Sequence, residues 1–145
     1  MKYESGSGYN LERFLSAQER DYEQALQEIR SERKRSHWIW YIFPQLKELG
    51  YSSTAKYYGI RDLNEAKAYL KEPTLRARLI RISEALLALN ESDPEIVMGY
   101  PDDMKLRSSM TLFAAADPDE PVFTQVLDKY FQGRADERTL ALIGR

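Results

Sequence analysis

Between Asn10 and Ile29 apolar side chains return every three or four positions, at Leu11, Phe14, Leu15, Tyr22, Ala25, Leu26 and Ile29. This spacing places one apolar stripe along a helix, with Asn10 as the expected N-cap. Gln18 falls on the same stripe, where a buried carboxamide needs a partner. The helix is expected to end in Glu32-Arg33-Lys34-Arg35, whose cations suit the negative pole of a helix dipole. Residues Trp38 to Phe43 are apolar throughout and have strand propensity, but Pro44 and the surrounding helical pattern predict a short buried helix. Gly50, Ser52 and Ser53 turn the chain into a short helix carrying Ala55, Tyr57 and Tyr58, closed by Gly59.

Asp62 followed by Glu65 makes a capping-box-like start for a helix through Leu70. Pro73 then opens a second long helix whose seam of Leu75, Leu79, Ile82, Leu86 and Leu89 is expected to pack on the first. Asp93-Pro94 repeats the cap-and-proline pattern before a turn through Met98 that Gly99 stops. The element starting near Pro101 has polar residues on several faces, which cannot all reach solvent if the helix is central. Pro121 opens a last long helix with Val122, Phe123, Val126, Leu127, Tyr130 and Phe131 inward, Gly133 ends it, and Asp136 caps a terminal turn bearing Leu140 and Ile143. No segment alternates with a period of two and no unit repeats. The pattern predicts an all-α, irregular single-domain bundle of about seven or eight helices over residues 10–145. Residues 1–9, with Gly6 and Gly8, read as a flexible leader.

The 145 residues suffice for one core, and 21 basic against 23 acidic side chains leave a net charge of −2. The overall field therefore gives no drive toward nucleic acid or an anionic membrane. With no cysteine, disulfides, thiolate catalysis and cysteine-ligated zinc are excluded. The absence of cysteine and of a secretory leader makes a cytoplasmic location the expectation. No apolar run approaches the roughly 20 residues of a membrane-spanning helix.

Chemistry concentrates in Ser36-His37-Trp38-Ile39-Trp40-Tyr41-Ile42-Phe43-Pro44-Gln45, which holds both tryptophans and the one histidine. Burying an imidazole or carboxamide unpaired costs about 1–3 kcal/mol, so these groups either fasten the interior or meet a ligand. Histidine is the side chain whose proton affinity suits acid–base work near neutral pH, which makes His37 the natural proton-transfer candidate, although a lone histidine is more often structural. Ser36, Ser108 or Ser109 with His37 and Asp102 could be drawn as a nucleophile, base and orienter, but no strand-turn-helix nucleophile motif surrounds any of these serines, which counts against a triad. Asp102 and Asp103 lack the spaced acidic loop of a calcium site, so no metal is expected. Lys105 lies one turn after Asp102, either as an anion-attracting group or as a simple surface pair. Arg33, Lys34 and Arg35 precede Trp38, Trp40 and Tyr41 as in a base-stacking patch, but these rings sit among isoleucines as core residues do.

The order of these motifs is itself informative. Leu11, Arg13, Phe14, Ala17, Gln18 and Tyr22, then Lys34 through Gln45, then Glu65-Ala66, Tyr69-Leu70, Leu75 and Arg78-Leu79, and finally Pro101-Asp102, Lys105-Leu106 and Ser108 through Phe113 resemble the bacterial family called domain of unknown function 1810. The resemblance spans Asn10 to the C-terminus. It implies an all-helical single domain without an established activity; such proteins are sometimes called calpastatin-like. It also points to Gln18, His37, Trp38, Trp40, Phe43, Pro44, Gln45, Asp102, Lys105, Ser109, Thr111 and Phe113 as positions of interest. The chain departs from the family pattern at Glu32, where a glycine is expected, and at Ile39, where methionine is common.

The functional expectation is a pocket for a small anionic or nucleotide-like metabolite, with hydrolysis as the form any turnover would take. Gln18, Trp38, Trp40, Gln45, Ser109 and Thr111 would bind the ligand, and His37, Asp102 and Lys105 would carry the chemistry. No cofactor is expected. The alternatives are a protein-interaction module presenting Tyr51, Tyr57 and Tyr58, and a weak nucleic-acid binder using Arg30 to Arg35.

Overall fold

Side-chain caps and prolines set most of the helix boundaries. A computed structural model describes residues 9–145, so the expected leader lies outside the described residues except for Tyr9. Tyr9 packs against the core, and the Arg61 guanidinium lies 4.5 Å from its ring centroid. The helices are α1 (Glu12–Arg30), α2 (Ile39–Ile42), α3 (Ser53–Tyr57), α4 (Leu63–Lys71), α5 (Pro73–Ala88), α6 (Pro94–Met98), α7 (Asp102–Ala116), α8 (Val122–Phe131) and α9 (Glu137–Leu142), with a 3-10 turn at Lys47–Leu49. Among the described residues no strand forms; Leu46 and Ile60 make one isolated parallel bridge. The chain is all-α, and the short turns bring the number of helices above the seven or eight expected.

Ser52, Asp62, Asp93 and Asp136 each accept a backbone N–H at the start of α3, α4, α6 and α9. Pro73 opens α5 as expected, with Glu72 accepting the Leu75 amide at 2.9 Å. Asn10 does not cap α1. Leu11 occupies the N-cap position without a side-chain cap, and the Asn10 carbonyl instead receives the Arg13 guanidinium.

Helix α7 runs through the middle, touching α2, α4, α6, α8 and α9, while α1 packs on α5 and α2. Leu106, Met110, Leu112 and Phe113 join one apolar core with residues from every long helix. Ser108, Ser109 and Thr111 of this central helix are buried, while its charged residues stay partly exposed. Ser108 and Thr111 resolve the cost by donating back to the Met104 and Arg107 carbonyls at 3.1 and 2.8 Å.

Helix α1 ends in a Schellman arrangement, with the Glu32 amide on the Ile29 carbonyl (2.8 Å) and the Arg33 amide on the Glu28 carbonyl (3.0 Å). Glu32 therefore takes φ +64°, in the left-handed region that favours glycine. This is the position at which the family resemblance calls for glycine. Left-handed backbone costs a residue with a Cβ roughly 1–2 kcal/mol, partly offset by the greater chain freedom that glycine brings to the unfolded state. Glu32→Gly is accordingly expected to stabilise the domain by about 1 kcal/mol, measured as a higher urea midpoint at unchanged slope.

Candidate functional site

The Schellman turn carries the chain from α1 into the segment before α2, and one carboxylate shapes that segment. Glu28 accepts bonds from the Arg35 amide (2.8 Å), the Ser36 amide (3.0 Å) and hydroxyl (2.7 Å), the Trp38 indole N–H (2.8 Å) and the Gln24 amide (2.8 Å). Burial alone would push this carboxyl up; the donors outweigh it and hold the group at about 2. Trp38 is thereby fixed deep in the core rather than in a pocket wall.

The same segment turns Lys34 inward. Its ammonium meets Asp102 Oδ2 at 2.7 Å, contacts the Ser36 carbonyl and lies 4.9 Å from the Trp38 ring centroid. Lys105 reaches the other oxygen of Asp102 at 3.2 Å and stands 4.5 Å from the Trp40 centroid. Two ammoniums thus share one carboxylate, so the Lys34–Asp102–Lys105 cluster carries one positive charge in excess. Lys34 is bound within the fold and not displayed with Arg33 and Arg35 as a basic strip.

Beside this triad lies a hollow of about 320 Å³, lined by Gln45, Leu49, Pro101, Met104, Lys105, Ser108, Asp136 and Arg138. Backbone bonds hold Gln45 in place: its carbonyl accepts the Ile60 amide at 2.9 Å, and Lys47 donates to the Ile60 carbonyl at 2.8 Å. Gln45 is only 8% exposed, yet its carboxamide bonds to no other described residue. Asp136 is occupied, accepting the Thr139 amide (2.9 Å) and hydroxyl (2.6 Å). Arg138 is exposed and pairs with no carboxylate among the described residues. The hollow therefore offers a free amide and two cations against one carboxylate that is already engaged.

The sequence-predicted site does not stay together. Gln45 and Lys105 line the hollow, and Asp102 and Trp40 touch Lys105 behind it. Gln18 lies elsewhere, donating to the Tyr41 carbonyl (2.8 Å) and the Tyr69 hydroxyl (2.9 Å) while its oxygen faces Arg78 at 3.4 Å. It satisfies itself between α1, α2 and α4, and burial pushes the Tyr69 phenol well above its ordinary value. Thr111 fastens α9, accepting the Asp136 amide at 2.8 Å. Ser109 is sealed in the core with its hydroxyl unpartnered. His37 is exposed, forms no hydrogen bond with another described residue and is absent from the hollow's lining.

Convergence of the imidazole and both carboxamides on one cavity is thus corrected. Periodicity identified Gln18 as buried but carried no information about which helix would satisfy it. Sequence reasoning also missed Arg138, Ser108's place in the lining, and Glu28. For Glu28 a signal existed, since it lies three residues after Ala25 and beside Ile29 on the apolar face of α1.

These motifs, in this order and on this fold, permit comparison with known proteins. The family described as a protein of unknown function (DUF1810) matches residues 8–143. The chain belongs to this family. The crystal structure of the conserved hypothetical protein Rv1873 from Mycobacterium tuberculosis is similar with a TM-score of 0.92 and 43% sequence identity, covering 94% of this chain and 98% of that one. No curated protein matches the chain. As a DUF1810 member it shares an all-helical architecture, and among its described residues no helix is long and apolar enough to cross a membrane.

Proposed function

We propose that the hollow between the Gln45 segment, α7 and α9 binds a small anionic metabolite and does not turn it over. The observation that carries this reading is the Gln45 carboxamide, which lines the hollow beside the Lys105 ammonium and bonds to no other described residue. An amide left open to the hollow can donate, and a ligand carboxylate or phosphate oxygen would accept from its N–H groups. Arg138 supplies a second cation at the rim. A nucleobase is disfavoured at Trp40, because the Lys105 ammonium already occupies a position over its ring.

Binding is preferred to hydrolysis because the nearby carboxylates are engaged and the imidazole lies elsewhere. Asp102 holds an ammonium on each oxygen, Asp136 caps α9 through Oδ2, and no imidazole lines the hollow to share a proton with either. A thermal-shift panel of inorganic phosphate, dicarboxylates and phosphorylated metabolites tests the reading; a ligand at a hundred times its Kd stabilises by about 2.7 kcal/mol. Lys105→Met and Gln45→Leu are each expected to weaken the hit tenfold or more, while His37→Ala leaves it unchanged. A hit insensitive to both substitutions in the hollow sinks the proposal, as does a panel without any hit.

A protein-interaction surface is the second reading, favoured by Tyr51 and Tyr57, which are 82% and 57% exposed. Tyr58 does not belong to it, being partly buried against Phe14, Tyr41 and Tyr57.

A further inference from the structure

A second groove, of about 390 Å³, runs between the start of α1, the 3-10 turn and α3. Its floor is an internal ion pair: Arg13 and Glu65 meet at 3.0 Å, with both side chains almost wholly buried. Arg13 also donates to the Tyr57 and Gly59 carbonyls at 2.8 and 2.9 Å, and Glu65 accepts the Arg61 amide at 2.7 Å. These two charges are consumed by each other and by backbone. Glu65 is the carboxylate among the lining residues, so its neutralisation leaves the walls cationic.

The walls carry Lys47, Lys56 and Arg61, all exposed. Neither lysine pairs with a carboxylate of the described residues, and Arg61 has only a loose partner in Asp62 at 3.8 Å. Two rings complete the groove. The Arg61 guanidinium carbon lies 4.5 Å from the Tyr9 ring centroid, and Tyr57 stands edge-on to Tyr58 with much of its surface in solvent. Gly59 lets the chain pass against the Lys47 backbone, where a Cβ would collide, so the shape of this end is fixed by the fold.

From this arrangement we infer that the groove binds a nucleoside phosphate. Lys47 and Lys56 are compact, strongly hydrated point charges that suit a multivalent phosphate. The open Tyr57 ring presents a flat surface to a base, and Arg61, held over Tyr9, adds a third cation. The inference rests on different residues from the anion hollow and stands whether or not that hollow binds a ligand.

Isothermal titration and amide chemical-shift mapping of the full chain with adenosine monophosphate, inorganic phosphate and adenosine separate the contributions. The monophosphate is expected to bind at least tenfold more tightly than either fragment, with shifts centred on Lys47, Lys56 and Tyr57. Lys47→Gln/Lys56→Gln should weaken it tenfold or more, and Tyr57→Ala should weaken the nucleotide but not phosphate. Because all three side chains are exposed, unchanged thermal unfolding confirms that these variants fold. Lys105→Met serves as the control for the other site and should leave this binding intact. A 5′-phosphorylated single-stranded octamer should bind within about threefold of the monophosphate on a one-nucleotide footprint. The inference is overturned if the double variant binds like the parent, if shifts centre on the Lys105 hollow, or if the octamer binds a hundredfold more tightly than the monophosphate.

Discussion

Glu28→Ala is expected to destabilise the domain by about 3 kcal/mol at neutral pH, with the Trp38 emission moving to the red. The magnitude follows from the carboxyl itself: a group held at about 2 against an ordinary value of 4.5 contributes roughly 1.4 kcal/mol for each pH unit of difference. The contacts support the same size. Deleting the side chain strands the Trp38 indole N–H and the Arg35 and Ser36 amides, and each buried orphan costs about 1–3 kcal/mol unless water reaches it. Urea unfolding followed by tryptophan fluorescence reads both effects. A loss below about 1 kcal/mol would mean that the segment before α2 finds other partners and that Glu28 is not its organiser.

Acid titration tests the same carboxylate without removing it. Burial would raise the group, but the donors from Gln24, Arg35, Ser36 and Trp38 prevail and depress it. A depressed carboxyl contributes its full stability above the unfolded value of 4.5, because there it is ionised in both states. As pH falls from 4.5 through about 2 the unfolded chain takes up the proton first, and that contribution is lost. Glu28→Gln should therefore flatten the acid limb of the stability curve in this window. An unchanged limb would assign the acid sensitivity to other carboxylates.

Features written in local chemistry were legible in the sequence. Ser52, Asp62, Asp93 and Asp136 cap the helices they were expected to cap, because a cap is decided within three residues. The α1 and α5 stripes likewise predicted their own packing. Charges buried by distant partners were not legible. Arg13, Glu65 and Lys34 look like solvated surface residues in a hydropathy pattern, yet all three have nearly buried side chains bonded to other elements. The histidine misled for the opposite reason: reactivity drew attention to a residue type, whereas position decides access to a site. His37 follows the last residue tied to Glu28 before Trp38 turns inward, and it is left pointing outward in solvent. Of the expected site, Gln45 and Lys105 met because Gln45 is pinned by the Ile60 bonds and Lys105 projects from the first turn of α7.

Arg13→Met should cost about 3–5 kcal/mol, the range for removing one partner of a buried ion pair. The guanidinium ties four segments together through Glu65 and the carbonyls of Asn10, Tyr57 and Gly59, and it lies 4.3 Å from the Phe14 ring centroid. Methionine preserves much of the apolar stem while leaving Glu65 with the Arg61 amide alone. Two consequences separate this cost from general core damage. Amide exchange should accelerate first in α3 and the Gly59 turn, whose carbonyls lose their anchor, before it changes in α5 or α8. Adding Glu65→Leu to Arg13→Met should then recover part of the loss, since it removes the stranded charge; a double variant as unstable as the sum of the singles would show that the two side chains act independently. Such a result would place the rigidity of the nucleotide groove in the Gly59 backbone approach and not in the ion pair beneath it.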